Sequence, residues 1–313
     1  MVAKANKLWK PIEHSIIRNK DLKNLIHERG FSIQNLIPLT AIDELLRLFH
    51  QYHTLKDEKG GVFFSVFSQN TDYRKAIHNE ISRIVQPLID PLFQNYKIVV
   101  NSFVVKISGP ESEFYAHQDT TSLDEWKFSP LSLWIPLQDV NENNGCLGII
   151  PYSKHFFFPY RNISFPSPFD GIQETVKNYL QPVEMKTGEV LLFDNRTLHH
   201  SYSNVSGKSR ISVICGLFPK DAKVQTCTKP KYEFGGKVEV IEHPDSYLLT
   251  GKTFLKNNDK RPETGKSLGW FEENSFAISA EKFENLCAEF DVKKNISNQP
   301  FQPTKCNMID EPV

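Results

Sequence analysis

The sequence predicts a mainly β domain, a sandwich or barrel buttressed by helices at its N-terminal end. Apolar side chains follow helical spacing through the first hundred residues. From Tyr96 the chain then breaks into short β-branched or alternating runs separated by turn residues. No internal repeat divides it, so the 313 residues read as one large domain with an extension and not as an array.

The first helix-like stretch, AIDELLRLFHQYHTL from Ala41, sets Ile42, Leu45, Leu46, Leu48 and Phe49 on one broad stripe, with Thr40 as its cap. The second, from Asp72, repeats the pattern until Pro87 and Pro91 interrupt it. Strands are expected at KIVVNSFVVKI after Tyr96, at Pro130 to Val140, at Cys146 to Pro151, at Glu189 to Phe193 and at Arg210 to Phe218. Pro136 marks the second of these as an edge strand or a bulge. Turns fall at Asn143-Asn144-Gly145, Thr187-Gly188 and Ser206-Gly207-Lys208.

One segment interrupts the strand series. Residues 154–182 are long, aromatic and proline-bearing, which predicts a lid or a binding loop. Residues 1–250 form the expected domain. Residues 251–313 are polar and irregular apart from a helical stretch at Ala280 to Phe290, and read as a loosely packed extension.

Charge and composition exclude several functions. With 37 basic and 37 acidic residues the net charge is zero, so neither nucleic acid nor a charged membrane surface is an expected partner. No run approaches the roughly 20 apolar residues that span a bilayer, and no signal segment follows Met1, so a soluble, cytoplasmic protein is expected. Cys146, Cys215, Cys227, Cys287 and Cys306 are an odd set without a Cys-x-x-Cys pair, and read as isolated thiols.

The sharpest local feature is His117-Gln118-Asp119. In extended chain, residues two apart share a face, so the His117 imidazole and the Asp119 carboxylate can address one ion. Two ligands do not hold a catalytic metal. A second histidine would complete the two-histidine, one-carboxylate set suited to non-haem Fe(II), and His199 or His200 offers one after several intervening strands. Alternation favours His199, which shares a face with Ser201, and leaves His200 as a supporting or outward-facing residue. Farther on, Arg210 offers two parallel charge-assisted bonds to a carboxylate, with Ser212 on the same strand face.

These residues and their surroundings resemble an iron- and 2-oxoglutarate-dependent oxygenase, and the phytanoyl-CoA dioxygenase family in particular. The resembling stretches are Glu28-Arg29-Gly30-Phe31, His117-Gln118-Asp119, Leu133 to Asp139, Glu142 to Leu147, Ile150 to Ser153, Gly188 to Asp194 and His199 to Ser206. They cover about residues 20 to 245. The resemblance implies a double-stranded β-helix, a jelly roll related to the cupins. It further implies Fe(II) on His117, Asp119 and His199, 2-oxoglutarate anchored by Arg210 with Ser201 assisting, Trp134 lining that pocket, and O2 as the second cosubstrate.

The implied activity is hydroxylation of an unactivated carbon of a small or medium-sized metabolite, coupled to decarboxylation of 2-oxoglutarate to succinate and CO2. Related halogenases carry a small residue where this chain has Asp119, so the carboxylate argues for hydroxylation. Desaturation, epoxidation or cyclisation by the same cofactors is the alternative. A cupin-like metal-binding sensor without turnover is the second. A monomer or homodimer is expected. The family's Pro-Gly-Ser-His turn is replaced here by Pro151-Tyr152-Ser153-Lys154-His155.

Four further expectations concern single residues. Lys106 reads as an exposed strand lysine, and Arg161 as either a substrate-anion ligand or a solvated arginine. Phe156, Phe157 and Phe158 read as either a hydrophobic lid or core packing. His14, His27, His50, His53, His78 and His243 fall outside the metal spacing and read as structural or surface residues.

Overall fold

A computed structural model describes residues 14–53, 61–156, 158–251 and 260–295. Its first helix, α1 (Lys20–Arg29), is capped by the Asn19 side chain, which accepts from the Leu22 N–H, and ends at Gly30. Gly30 has φ +92°, and an added Cβ would lie 2.6 Å from Thr197 Oγ1. The chain therefore turns at once into β1 (Phe31–Asn35).

Helix α2 (Leu39–Tyr52) starts after Pro38 with no side-chain cap, so Thr40 lies inside the helix and does not cap it. Asn70 caps α3 (Thr71–Ile89), which continues through Pro87. The expected interruption is absent because the missing N–H falls within the last turn, where one lost bond is tolerated.

Among the described residues, ten strands build the domain around two sheets. They continue with β2 (Val62–Phe64), β3 (Tyr96–Lys106), β4 (Phe114–His117), β5 (Leu131–Pro136) and β6 (Leu147–Ile149). After these come β7 (Gln181–Val183), β8 (Glu189–Asp194), β9 (His199–Ser201) and β10 (Arg210–Pro219). One sheet runs β1-β8-β5-β10-β3-β2 and the other β4-β9-β6-β7, with antiparallel pairing throughout. This is the double-stranded β-helix. Strand β5 lies between β8 and β10, so Pro136 does not mark an edge; it is the last residue of β5, where the ladder loses only a terminal donor.

Period-two alternation assigns the two faces of the large sheet. Phe103 and Val105 of β3, Leu133 and Ile135 of β5, Val190 and Leu192 of β8, and Ile211 and Val213 of β10 join one core with the three helices. Their sequence neighbours face the small sheet instead: Trp134, Leu191 and Phe193 share a second core with Leu147 and Ile149 of β6. Ser102, Val104, Lys106, Arg210 and Ser212 have the same parity, which places the polar members of β3 and β10 in the chamber between the sheets.

A third sheet follows, of β11 (Val224–Thr228), β12 (Lys237–His243) and β13 (Lys266–Glu272). Helix α4 (Gln173–Lys177) lies between β6 and β7, the short α5 (Tyr247–Thr250) between β12 and β13, and α6 (Ala280–Glu289) is the last element of the described chain. Part of the extension, 252–259 and 296–313, lies outside the described residues. Within the rest, β13 is largely exposed, whereas α6 is packed against the domain. Phe283, Leu286 and Cys287 of α6 are buried in one cluster with Phe156, Phe158, Phe169 and Leu180 of the 154–182 segment. Each partner supplies the apolar face that the other lacks, which short polar-seeming stretches of sequence do not reveal. No described helix is long and apolar enough to cross a membrane.

Candidate metal centre

Strand pairing brings the two halves of the metal set together. His117 ends β4 and lies directly opposite His199, the first residue of β9, with ring centroids 4.3 Å apart. Asp119 follows two residues later, and its Oδ1 is 3.8 Å from both His117 Nε2 and His199 Nε2. One ligand atom from each of the three residues lies within 4.8 Å of the others.

The histidine tautomers fit a metal. His117 Nδ1 is 2.7 Å from the Tyr115 carbonyl and His199 Nδ1 is 2.9 Å from the Thr197 carbonyl. A carbonyl only accepts, so each Nδ1 carries a proton and each Nε2 is left facing Asp119. Burial, together with the neighbouring His199, pushes His117 down to about 3, so it stays neutral at physiological pH. Burial raises the Asp119 carboxyl against the opposing influence of His199 and Arg161.

The motif is pinned from behind. The Asp119 N–H donates to the Asn195 carbonyl at 2.9 Å, and the buried Gln118 amide donates to the carbonyls of Arg196 at 2.6 Å and Phe156 at 3.1 Å. The 194–197 turn thus fixes Asp119 and His199 together. That turn is itself held by a buried ion pair in which Arg196 donates to the Asp194 carboxylate. Burial alone would raise Asp194, but Arg196, Lys154 and His14 hold it well below the usual carboxylate range.

Arg210 opens β10 and is 1% exposed. Its guanidinium lies over the Trp134 ring at 5.2 Å, and neither Nε nor one terminal nitrogen, Nη1, has a hydrogen-bond partner among the described residues. Burial lowers it to about 10. An uncompensated buried guanidinium is costly, and in this chamber it fits a carboxylate ligand. Trp134 Nε1 donates to Ser212 Oγ at 3.0 Å, and Ser212 in turn donates to the Val104 carbonyl, so these two brace the wall beside Arg210. Ser201 is buried on β9, two residues after His199 and on its face.

A family model described as "Phytanoyl-CoA dioxygenase (PhyH)" matches residues 31–212, more than half of the chain and a span that contains every residue of this chamber. The chain belongs to the phytanoyl-CoA dioxygenase family.

Among curated members of that family, the chain is 31% identical over 121 residues to "Phytanoyl-CoA dioxygenase 1" of Oryza sativa subsp. japonica, 36% of this chain and 41% of that protein. It is 33% identical over 135 residues to "Phytanoyl-CoA dioxygenase domain-containing protein 1" of Rattus norvegicus, 40% of this chain and 46% of that protein. The match thus spans less than half the length of these relatives. A solved structure, the "non-heme alpha ketoglutarate dependent carbocyclase SnoK from nogalamycin biosynthesis", shares the fold at TM-score 0.51 and 17% identity, covering 69% of this chain and 90% of that one.

Within this phytanoyl-CoA dioxygenase family domain, several residues differ from expectation. Lys106 is not exposed: it is fully buried, and Nζ donates to the carbonyls of Ser201 at 3.0 Å and Tyr202. Burial first, then Arg210, depress it to about 6. Gly145 makes room for its stem, since a Cβ there would meet Lys106 Cδ at 2.5 Å. Lys106 therefore spans the chamber from β3 to β9, which strand parity with Ser102 and Val104 could have shown.

Arg161 is neither solvated nor open to an anion. It forms a buried bidentate pair with Glu125 at 2.7 and 2.9 Å and donates through Nε to the Asp119 carbonyl at 2.7 Å. Phe156 and Phe158 are core residues under α6, not a lid, and Phe157 lies outside the described residues. His200 faces away from the chamber, with Nε2 2.9 Å from Glu113. His14 is buried against Asp194 at 3.3 Å. Cys146, Cys215, Cys227 and Cys287 are free and buried, while Cys306 lies outside the described residues.

Proposed function

We propose that the chain is a non-haem Fe(II)- and 2-oxoglutarate-dependent dioxygenase that hydroxylates an unactivated carbon of a small or medium-sized metabolite. The observation that carries this reading is the pairing, in one chamber, of a two-histidine, one-carboxylate set with a buried guanidinium that has unmet donors among the described residues. His117, Asp119 and His199 would hold Fe(II), and when bound the iron and 2-oxoglutarate supply O2 activation coupled to loss of CO2.

The chain's own contribution is placement. Arg210 receives the distal carboxylate of 2-oxoglutarate through two parallel donors, and Trp134 keeps the guanidinium plane fixed. Ser201, on the face of β9 that carries His199, offers a hydroxyl to the same ligand. Lys106 ties β3 to β9 and so sets the width between anchor and metal set. The Leu147, Ile149, Leu191 and Phe193 side chains keep the inner end of the chamber dry, which strengthens each charge contact.

The unpaired Arg210 favours this reading over a metal-binding sensor, which has no need of a carboxylate anchor. The test is formation of succinate and CO2 from 2-oxoglutarate that requires Fe(II). His117→Ala and Asp119→Ala should each abolish it, and full turnover in either would overturn the assignment. Product mass separates hydroxylation from desaturation, epoxidation or cyclisation.

A further inference from the structure

The mouth of the chamber is bordered by aromatic rings that the proposed chemistry does not use. Phe114 precedes His117 by three residues, yet the irregular register of β4 sets Phe114 opposite Ser201 and His117 opposite His199, on one side. The Phe114 ring meets the His117 imidazole edge-on, 4.8 Å between centroids. On the other sheet, β2 is the edge strand. Its Phe63 packs against the helix-side core, so Phe64, paired with Val104, projects to the chamber side.

The rings then join. Phe64 and Phe114 stand 6.1 Å apart, and Phe67 lies 5.2 Å beyond Phe64. Phe67, Phe64, Phe114 and His117 thus form one wall from the surface to the metal set, linking edge strands of the two sheets. Phe67 and Phe114 leave 43% and 41% of their surface open, an apolar area that is favourable only when covered. The charge beside Phe114 is already satisfied, since Glu113 is paired with Lys177 and His200 at 2.9 Å each.

We infer that this wall binds a neutral, planar ring group of the substrate and holds it next to the carbon to be oxidised. The inference rests on the oxygenase reading for what happens there, and on the ring geometry for what is bound. The three phenylalanine rings are tilted by 55° and 60° to one another, so they offer edges and faces to a further ring. Edge-to-face and offset pairs add about two- to tenfold in affinity beyond the area covered, a gain that a saturated group of the same size does not receive. A rigid ring also loses little conformational freedom on binding.

The test uses the described chain at full length and three probes: naphthalene-2-methanol, its saturated counterpart decahydronaphthalene-2-methanol, and sorbitol. Calorimetry on the metal-free protein reads the wall alone, and the anaerobic visible band of the Fe(II)–2-oxoglutarate complex reads its distance from the metal. The aromatic alcohol should bind about tenfold more tightly than the saturated one, sorbitol should not bind, and the aromatic alcohol should shift the band.

Phe64→Leu, which keeps apolar area but removes a ring, should erase most of the preference between the two alcohols. Phe64→Ala should weaken both. Equal affinities for the two alcohols in the natural protein, or an unchanged preference in Phe64→Leu, would overturn the inference. So would a concentration-dependent dimer that Phe67→Ala dissolves, because the wall would then cover a second copy. Absence of the band with ring preference intact would overturn the oxygenase reading and leave the ring site standing.

Discussion

His117 and His199 are directly opposed residues of neighbouring strands, and each holds its Nδ1 to the backbone carbonyl two residues upstream. Because both rings are oriented by the backbone, the metal set is arranged before any ion arrives. Replacing either histidine or Asp119 with alanine should lower Fe(II) affinity by at least about 100-fold without unfolding the protein, since outer partners of such ligands alone account for about 10- to 100-fold. Metal titration with parallel far-ultraviolet circular dichroism checks this.

Arg210 separates ligand binding from stability. Arg210→Met removes the carboxylate anchor and should raise the KM for 2-oxoglutarate by about 100-fold, the effect of losing two charge-assisted bonds. The thermal midpoint of the metal-free protein should hold steady or rise, because an unpaired buried charge has been replaced by apolar volume. A large fall in the midpoint would mean that Arg210 has a structural partner.

Arg161 supports the centre indirectly. Arg161→Met leaves Glu125 buried without its partner, for which a loss of about 3 to 5 kcal/mol in urea unfolding is expected. The variant also frees the Asp119 carbonyl, so metal affinity should fall by about tenfold under conditions where the protein remains folded. Unchanged metal affinity would sever the link between the insertion and the metal set.

The aromatic segment and α6 stabilise each other. Phe283 is fully buried against Phe156, Phe169 and Tyr179, so Phe283→Ala should cost about 3 to 5 kcal/mol by urea unfolding. Limited proteolysis of the variant should cut first within 154–182. A cost below about 1 kcal/mol would show that α6 packs only weakly.

Acid sensitivity follows from the half-buried His155. Burial lowers His155 to about 4 from an ordinary value near 6.5, so the unfolded chain binds the extra proton between those values. The stability contributed by neutral His155 is complete above about pH 6.5 and is lost as pH falls towards 4. His155 stacks on Phe290 at 5.2 Å, a contact that His155→Phe preserves. This variant should therefore show a smaller drop in thermal midpoint from pH 8 to pH 5 than the natural protein does.

Much of this site was legible because its signals are local. His117 and Asp119 are two residues apart, Arg210 and Ser212 share strand parity, and His199 rather than His200 has the parity of Ser201; the structure places each accordingly. What sequence reasoning missed depends on long-range partners. Residue type alone reads Lys106 as exposed, although its parity with Ser102 and Val104 turns it into the chamber. Arg161 meets Glu125 from 36 residues away, and the phenylalanines after His155 find their cover in α6, more than a hundred residues on. Burial decided by such distant contacts leaves no periodic trace in either segment.

The most direct test of the central claim is an anaerobic titration of the protein with Fe(II) and 2-oxoglutarate, followed by visible absorption. A one-to-one metal complex is expected, with a charge-transfer band that is lost in His199→Ala, kept in His200→Ala, and reached only at higher 2-oxoglutarate in Arg210→Met. No band in the natural protein, or loss in His200→Ala with retention in His199→Ala, would contradict it.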